Sequence, residues 1–210
     1  MAHSDEIPAK NKRAPQLVVI AGPNGAGKST AAPDLLRGKL GVTEFVNADV
    51  IAQGLSAFEP EKVAIQAGRI MLTRLKQLAA ARADFAFETT LASRSFAPWI
   101  RQLVHGGYRF HLLFLWLPMP ELAVERVAGR VRAGGHIVPD EVIRRRYTRG
   151  ISNFLHLYSS LATRWRIYES ATLPRRLIAR GGTGIVEFVY NRNLWDMIKA
   201  EAADGAQEDD

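Results

Sequence analysis

The stretch AGPNGAGKST, residues Ala21 to Thr30, decides the fold of this chain. It contains the pattern GxxxxGK(S/T), known as a P-loop, with every defined position satisfied. Backbone N–H groups in such a loop close around the phosphates of a nucleotide, at the positive end of a helix. A strand-like apolar run precedes the loop and a helix-like segment follows it, as the motif requires. The residues predicted to contact a nucleoside triphosphate are Gly22, Pro23, Asn24, Gly25, Ala26, Gly27, Lys28, Ser29 and Thr30.

Two side chains of the P-loop are expected to have separate chemical roles. Lys28 is expected to be a surface charge that reaches the β- and γ-phosphates, so that its loss would stop phosphoryl transfer and leave the fold intact. The Ser29 hydroxyl is expected to be the protein's ligand to Mg²⁺. The predicted cofactors are therefore ATP and Mg²⁺.

Strand-like and helix-like segments alternate through most of the chain. Strands are expected at 16–21, 44–48, 85–89, 108–117, 166–168 and 185–189. Helices are expected at 28–36, 61–83, 96–105 and 120–132, from Pro139 onward and from Leu194 onward. This alternation predicts an α/β fold of the P-loop NTPase type, with a parallel sheet of about five strands flanked by helices, and the ligand at the carboxyl ends of the strands.

The 210 residues have room for one packed domain rather than two. We expect a flexible lead-in at 1–15, a single P-loop domain at 16–200 with a helical lid region at about 120–150, and an acidic flexible tail at 201–210.

Composition limits the classes of function. The chain has no cysteine, which excludes disulfides and thiolate metal sites. No apolar run approaches the roughly 20 residues that span a bilayer, and the start does not resemble a signal peptide. No membrane partner is therefore expected. The cytoplasm is the expected location because a protein that uses ATP needs a supply of ATP. The net charge of +7 suits acidic small molecules or nucleic acid as partners.

A P-loop alone does not identify the reaction. Of the classes considered, small kinases require the fewest further sequence motifs besides the P-loop. The NKxD-type motif with which GTPases recognise the base is absent, which argues against a GTPase. Large ATPases have a strand of the pattern hhhhDE. The segment most similar to it, DFAFE, ends in the single carboxylate Glu88. A kinase needs a carboxylate near the acceptor hydroxyl and cations near the γ-phosphate. Asp49 and Glu88 each lie at the carboxyl end of a predicted strand, so both should face the P-loop. Asp49 is the predicted base, and Glu88, with Thr90 beside it, should fix acceptor hydroxyls or hydrated Mg²⁺.

The predicted lid carries further cations. Arg126 and Arg130 share one helix face, whereas Arg132 points elsewhere. The segment RAGGHIVP after them has the paired glycines of a hinge, and His136 within it is either a lid residue or a turn histidine. The next helix carries Arg144, Arg145, Arg146 and Arg149, most of which are expected to be exposed to solvent.

Four segments in this order, the P-loop, VNAD, FETTLAS and RVRAGGHIVPDEVIRRRY, resemble the zeta-toxin family of small P-loop kinases, and especially its short chromosomal members. The resemblance covers residues 17–154. The best-known zeta toxins phosphorylate the sugar of UDP-N-acetylglucosamine with ATP. The resemblance also implies a toxin role and an antitoxin protein as a possible partner.

The resemblance assigns roles to individual residues. It implies that Lys28 and Ser29 serve the nucleotide and Mg²⁺, and that Asp49 accepts the proton. The residues implied to contact the sugar nucleotide are Glu88 and Thr90. Arg130 matches the first of two arginines that serve the transferred phosphate, while the position of the second is occupied here by His136.

The leading hypothesis is an ATP-dependent kinase that phosphorylates a hydroxyl of a small molecule, such as a nucleotide sugar. One alternative is a kinase of nucleosides or nucleic-acid ends. The other is an ATP-gated binding or toxin module with little turnover. Nucleic acid is the less favoured partner, because the four tryptophans are scattered and form no evident stacking platform.

Overall fold

A computed structural model describes residues 13–38, 40–135 and 137–207, with side chains as far as residue 203. Most of the expected flexible lead-in and position 136 therefore lie outside the described residues. No helix within these ranges is long and apolar enough to cross a membrane.

The described residues form one sheet of seven strands. The strands are β1 (Gln16–Ala21), β2 (Glu44–Val46), β3 (Phe85–Thr89), β4 (Arg109–Trp116), β5 (Arg164–Glu169), β6 (Arg176–Gly182) and β7 (Ile185–Val189). Their order is β2-β3-β1-β4-β5-β6-β7. Strands β1 to β5 are parallel, and β6 and β7 form an antiparallel hairpin at one edge. The predicted α/β class is confirmed, with β6 as a strand that the sequence pattern did not predict.

Helices cover the sheet. They are α1 (Lys28–Arg37), α2 (Ala48–Leu55), α3 (Ala64–Ala80), α4 (Phe96–His105), α5 (Pro120–Arg132), α6 (Asp140–Asn153), α7 (Ser159–Leu161) and α8 (Arg192–Gln207). A 3₁₀ turn at Pro60–Val63 precedes α3, and a π-helical turn at Phe154–Tyr158 joins α6 to α7. The short helix α2 was not predicted.

The core is built from strand residues packed against helix aromatics. All six residues of β1 are buried, as expected for a central strand covered on both faces. The ring of Phe87 lies 5.0 Å from that of Phe96 in α4, and the ring of Phe114 lies 4.8 Å from that of Phe154. This packing fixes the sheet as a rigid support for the loops at its carboxyl edge.

The strand order positions the ligand site. β3 and β4 pair with β1 on opposite sides, so the crevice at the end of β1 is the switch point where ligands bind in open α/β sheets. The P-loop leaves β1 at this point, between the ends of its two neighbours.

Residues 201–207 differ from the flexible tail that is expected there. Helix α8 continues to Gln207, so residues 201–207 are helical. One Glu201 carboxylate oxygen accepts a hydrogen bond from Trp116 Nε1 at 3.0 Å, and both lie 3.0 Å from the Tyr147 hydroxyl. Burial, together with the Glu201 charge, raises the pKa of Tyr147. The acidic composition suggested a flexible tail. The sequence alone does not reveal that Trp116 and Tyr147, far away in the chain, form hydrogen bonds with this carboxylate.

Candidate active site

The P-loop has the backbone of a phosphate cradle. Gly25 and Gly27 have φ of 75° and 76°, in the left-handed region that favours glycine. At Gly22, a Cβ would lie 2.2 Å from the Leu115 carbonyl oxygen, so only glycine fits against β4 there. Helix α1 begins at Lys28, and the free N–H groups of its first turn therefore adjoin the loop.

Lys28 is buried, which corrects the expectation of a surface charge. Its exposed fraction is 9%, and its Nζ donates hydrogen bonds of 2.9 Å to the carbonyl oxygens of Gly22 and Pro23. Burial lowers the pKa of Lys28, while the nearby charges of Glu88 and Asp49 oppose this shift. Because Nζ satisfies two loop carbonyls, removing Lys28 would disturb the loop as well as phosphate binding.

Ser29 and Glu88 bring two oxygen-bearing side chains together at the mouth of the P-loop. The Ser29 hydroxyl donates to Glu88 Oε2 at 2.8 Å, and Asn47 Nδ2 lies 3.4 Å from the same hydroxyl. Burial raises the pKa of Glu88, although Lys28 and the Ser29 hydrogen bond lower it. Among the described residues, no three His, Asp or Glu side chains cluster as a metal site. One hydroxyl and one carboxylate nevertheless fit Mg²⁺, which completes its shell with water and substrate phosphates.

Asp49 lies in the first turn of α2 rather than on a strand. Asn47 caps this helix, because its Oδ1 accepts hydrogen bonds from the backbone N–H groups of Asp49 at 2.7 Å and Val50 at 3.3 Å. The Asp49 side chain is exposed. Sequence reasoning did not single out Asn47, although an asparagine before a short apolar helix is a recognisable cap.

Two cavities meet at Asp49. The first, called here the acceptor-side cavity, has a volume of about 410 Å³. Its lining includes Lys28, Asp49, Glu88, Thr90, Arg145, Arg146 and Arg149. The second, called here the lid-side cavity, has a volume of about 260 Å³. Its lining includes Ser29, Asn47, Asp49, Arg130 and Gly135. The structure thus brings the predicted carboxylates, Thr90, the P-loop and Arg130 together around one cleft.

Three arginines of α6 line this cleft. The expected exposure to solvent holds for Arg144 and Arg145, whereas Arg146 and Arg149 are only partly exposed. Arg145, Arg146 and Arg149, called here the arginine wall, line the acceptor-side cavity. Arg144 is exposed and pairs with Glu121 of α5. Arg146 lines the acceptor-side cavity together with Lys28, and Arg130 lines the lid-side cavity together with Ser29, so both arginines lie near the P-loop.

The other lid candidates lie elsewhere. Arg126 faces the underside of the P-loop: its Nη1 donates to Gly25 O at 3.4 Å and to Ser170 O at 2.8 Å, and its Nη2 to Ala171 O at 2.5 Å. Arg132 is exposed at the end of α5 and lines neither cavity. His136 lies outside the described residues.

The loop after β5 supports the P-loop, which no sequence signal indicated. The Ser170 hydroxyl donates to Ala26 O at 2.7 Å. Arg175 Nε donates to the Ser170 hydroxyl at 3.2 Å, and Arg175 Nη2 lies 3.5 Å from Gly27 O. Together with Arg126, these contacts hold the carbonyl oxygens of Gly25, Ala26 and Gly27 in place.

Comparison with known proteins identifies the family. The family described as "AAA domain" matches residues 17–149, which is more than half of the chain. The chain belongs to this AAA-domain family. The matched region runs from β1 into α6 and contains the P-loop, Asp49, Glu88 and Arg130.

One curated relative and several solved structures resemble this AAA-domain protein. An uncharacterized protein of Haemophilus influenzae is 26% identical over 132 residues, which is 62% of this chain and 91% of the relative. A chain of the AvrRxo1-ORF1:AvrRxo1-ORF2 complex with sulphate ions has a TM-score of 0.70 at 17% identity, covering 90% of this chain and 64% of that chain. The protein therefore spans less than two thirds of that structural relative.

A second solved structure covers both chains more evenly. A chain from the PezAT chromosomal toxin-antitoxin system of Streptococcus pneumoniae has a TM-score of 0.63 at 15% identity, covering 96% of this chain and 89% of that chain. At these identities the similarity establishes the fold. With the family match, it confirms the predicted resemblance to zeta-toxin-like P-loop kinases.

The contacts of Arg126 predict a supporting role for this residue in the AAA-domain fold. Arg126→Met should lower Tm and raise the KM for ATP, because it removes charged hydrogen bonds to the P-loop and to the loop after β5. Such bonds contribute about 1.5–3 kcal/mol each, and a chain of this size loses roughly 2–4 °C in Tm per kcal/mol. Thermal melts and ATP titration kinetics measure both effects. Arg132→Met, at an exposed position of the same helix, is the matched control and should change neither.

The buried carboxylate of Glu88 predicts a pH-dependent stability change. Its raised pKa means that folding favours the protonated form, so the ionised form reduces stability as pH rises from the unfolded pKa toward the folded one. Glu88→Gln removes this penalty. The variant should match the wild-type Tm at about pH 4 and exceed it at about pH 8.

The control for this experiment is Glu125→Gln, at an exposed position of α5. Its Tm should follow that of the wild type across the same pH range. A Glu88→Gln protein that melts below the wild type at about pH 8 would show instead that the ionised carboxylate stabilises the fold.

Proposed function

We propose that this AAA-domain protein is an ATP-dependent kinase that transfers the γ-phosphate to a hydroxyl of a small molecule, a nucleotide sugar of the UDP-N-acetylglucosamine type. The observation that carries the proposal is the acceptor-side cavity, where Lys28 of the P-loop and Asp49 share one space with the arginine wall. Its volume of about 410 Å³ suits a small-molecule ligand. A phosphate donor and a hydroxyl acceptor can therefore meet beside Asp49.

ATP binding is supported by the P-loop and by the fold. The loop offers backbone N–H groups at the start of α1, and Lys28 lies among them. A chain of the AvrRxo1 complex with ATP has a TM-score of 0.68 at 17% identity, covering 91% of this chain and 65% of that chain. In the proposed reaction Lys28 exchanges its two loop carbonyls for phosphate oxygens.

Mg²⁺ fits beside Ser29 and Glu88, where it would neutralise charge on the β- and γ-phosphates. The Ser29 hydroxyl is the proposed protein ligand, and Glu88 holds that hydroxyl in place at 2.8 Å. Asn47 approaches the same hydroxyl and also caps α2. It thereby links the position of the metal ligand to the position of Asp49.

Asp49 is the proposed general base. Its exposed carboxylate lies on the wall of both cavities, so it can accept the proton of an acceptor hydroxyl next to the P-loop.

Cations approach the transferred phosphoryl group from two sides. Arg130 lines the lid-side cavity and Arg146 the acceptor-side cavity. Phosphoryl transfer spreads negative charge over the equatorial oxygens, and positioned cations lower the energy of that state. Arg130 is the proposed catalytic cation, with Arg146 on the acceptor side.

The arginine wall favours an anionic acceptor. Arginine matches phosphate oxygens in a bidentate manner, so Arg145, Arg146 and Arg149 suit a diphosphate group. Glu88 and Thr90 line the same cavity and can bind sugar hydroxyls. A nucleotide sugar provides both chemical features.

The deciding experiment is phosphoryl transfer from labelled ATP to a panel of nucleotide sugars, neutral sugars, nucleosides and oligonucleotides. We expect ATP consumption that depends on a nucleotide sugar and a labelled sugar product. Transfer to oligonucleotides or nucleosides would favour the nucleic-acid-end or nucleoside kinase. ATP binding without acceptor-dependent consumption would favour an ATP-gated binding module.

We further propose a protein partner of the antitoxin type and a location in the cytoplasm, where ATP is available. The AvrRxo1 structures contain two different proteins, and the PezAT structure comes from a toxin-antitoxin system. Co-purification from the native host, followed by ATPase assays with and without the co-purified protein, tests this part of the proposal.

A further inference from the structure

Arginines form a continuous band on one face of the sheet, far from the P-loop. The β4–β5 register places His111 opposite Arg164, and the β5–β6 register places Arg166 opposite Arg180. Directly paired residues project to the same face of a sheet, as do residues two apart on one strand. Arg109, two residues before His111, therefore joins the same face. We call Arg109, Arg164, Arg166 and Arg180 the basic face.

The basic face points away from the helical packing of this edge. Trp165, between Arg164 and Arg166, projects to the opposite side, where its ring stacks on Trp195 of α8 at 5.8 Å. Arg164 and Arg180 are exposed. The face lies toward the amino ends of β4 and β5, whereas the P-loop cleft lies at the carboxyl ends of the parallel strands.

Positive charge on this face is poorly neutralised. Within the described part of the chain, its one ion pair joins Arg180 Nε to Glu187 at 4.0 Å. Like charges directly opposite each other, as at Arg166 and Arg180, destabilise a sheet. Burial, followed by the charges of Arg164, Arg166 and Arg109, lowers the pKa of His111 to about 4. An anionic ligand would relieve this repulsion.

An aromatic pair continues the basic face onto β7. Phe188 lies opposite Arg180 in the β6–β7 register, and the Arg180 guanidinium lies 6.0 Å from the Phe188 ring centre. The rings of Phe188 and Tyr190 are 4.5 Å apart, and these residues are 51% and 49% exposed. Exposed rings beside guanidinium groups provide stacking surfaces for bases.

We propose that the basic face and the Phe188–Tyr190 pair bind single-stranded nucleic acid, independently of the kinase cleft. The arginines neutralise successive phosphates, and unpaired bases stack on the two rings. The rings favour this partner over an acidic peptide, which the arginines alone would satisfy. This surface differs from the tryptophan platform sought in the sequence, because its aromatic members are a phenylalanine and a tyrosine.

The test is fluorescence anisotropy of the full chain with a labelled oligothymidylate about ten nucleotides long, at several salt concentrations and with saturating MgATP. The charge variant is Arg164→Gln/Arg180→Gln. It should weaken binding and reduce the salt slope of log K by about 1.4, since each phosphate contact to a single strand contributes about 0.7. Its matched control, Arg69→Gln/Arg101→Gln, removes two exposed charges on α3 and α4 and should retain the wild-type slope.

The aromatic variant separates nucleic acid from other anions. Phe188→Ala should weaken oligothymidylate binding by roughly 5- to 150-fold without changing the salt slope, because stacking is not electrostatic. Thermal melts confirm that each variant is folded, and Phe188→Leu provides a milder change at the same position.

Several outcomes would overturn the proposal. These are displacement of the oligonucleotide by MgATP, equal binding of polyglutamate or duplex DNA, preference for anionic vesicles, and an unaltered affinity in the Phe188→Ala variant. Failure of the kinase assay does not bear on this surface.

Discussion

Asp49→Asn should lower kcat by about 10²–10⁴-fold while ATP binding is retained, the range that loss of a general base typically produces. Asparagine keeps the size and hydrogen-bonding reach of the side chain but accepts no proton at neutral pH. The backbone N–H of Asp49 remains bonded to Asn47 Oδ1, so the cap of α2 is preserved. The measurement is steady-state phosphoryl transfer to the acceptor, with ATP affinity determined separately by titration.

The matched control for Asp49 is Asp34→Asn, which removes an exposed carboxylate from α1. This variant should keep the wild-type kcat. If Asp49→Asn also keeps it, the base is Glu88 or a water molecule, and the proposed role of Asp49 is wrong. A parallel loss of ATP affinity would instead show that Asp49 acts through the bound metal.

Arg130→Ala should lower kcat by roughly 10³–10⁵-fold, the range observed for arginines that stabilise a transferred phosphoryl group. The KM for ATP should change much less, because the charge that Arg130 meets develops in the transition state. Its position in the lining of the lid-side cavity, which Ser29 and Asp49 also line, supports this role. Arg132→Ala, two residues later and exposed, is the control and should have little effect.

A comparison with Arg146→Ala provides the result that could contradict this prediction. The charge of Arg146 also acts on Lys28, but from the acceptor-side cavity. Arg146→Ala should raise the KM for the acceptor more than it lowers kcat. If Arg146→Ala abolishes turnover and Arg130→Ala leaves it within a few-fold of wild type, the catalytic cation belongs to α6, and the assignment to Arg130 is wrong.

The features that could be predicted from the sequence are those encoded by contiguous residues. The P-loop is a run of eight residues with fixed spacing, and the continuous apolar strand before it admits few alternatives. Asp49 and Glu88 were found because residues at the carboxyl ends of parallel strands converge at one edge of the sheet. Their convergence beside Lys28 could therefore be predicted from the fold class alone.

The remaining features depend on distant parts of the chain. The buried position of Lys28 results from two loop carbonyls that no residue pattern reveals. Arg145, Arg146 and Arg149 have the spacing of a solvated helix flank, and only the placement of α6 turns them toward a cavity. Strand β6 contains two arginines and ends in two glycines, which weakens the alternation used to predict strands.

The hydrogen bonds of Glu201 have a mechanical consequence for the acceptor side of the cleft. Tyr147 lies in the middle of α6, immediately after Arg146, and its hydroxyl is bonded to Glu201 of α8 and to the Leu117 carbonyl. Any displacement of α6 that preserves the Tyr147–Glu201 bond must carry α8 with it. Movement of the arginine wall that keeps this bond would therefore also move α8, and a spectroscopic label near the end of α8 would report that movement from outside the cleft.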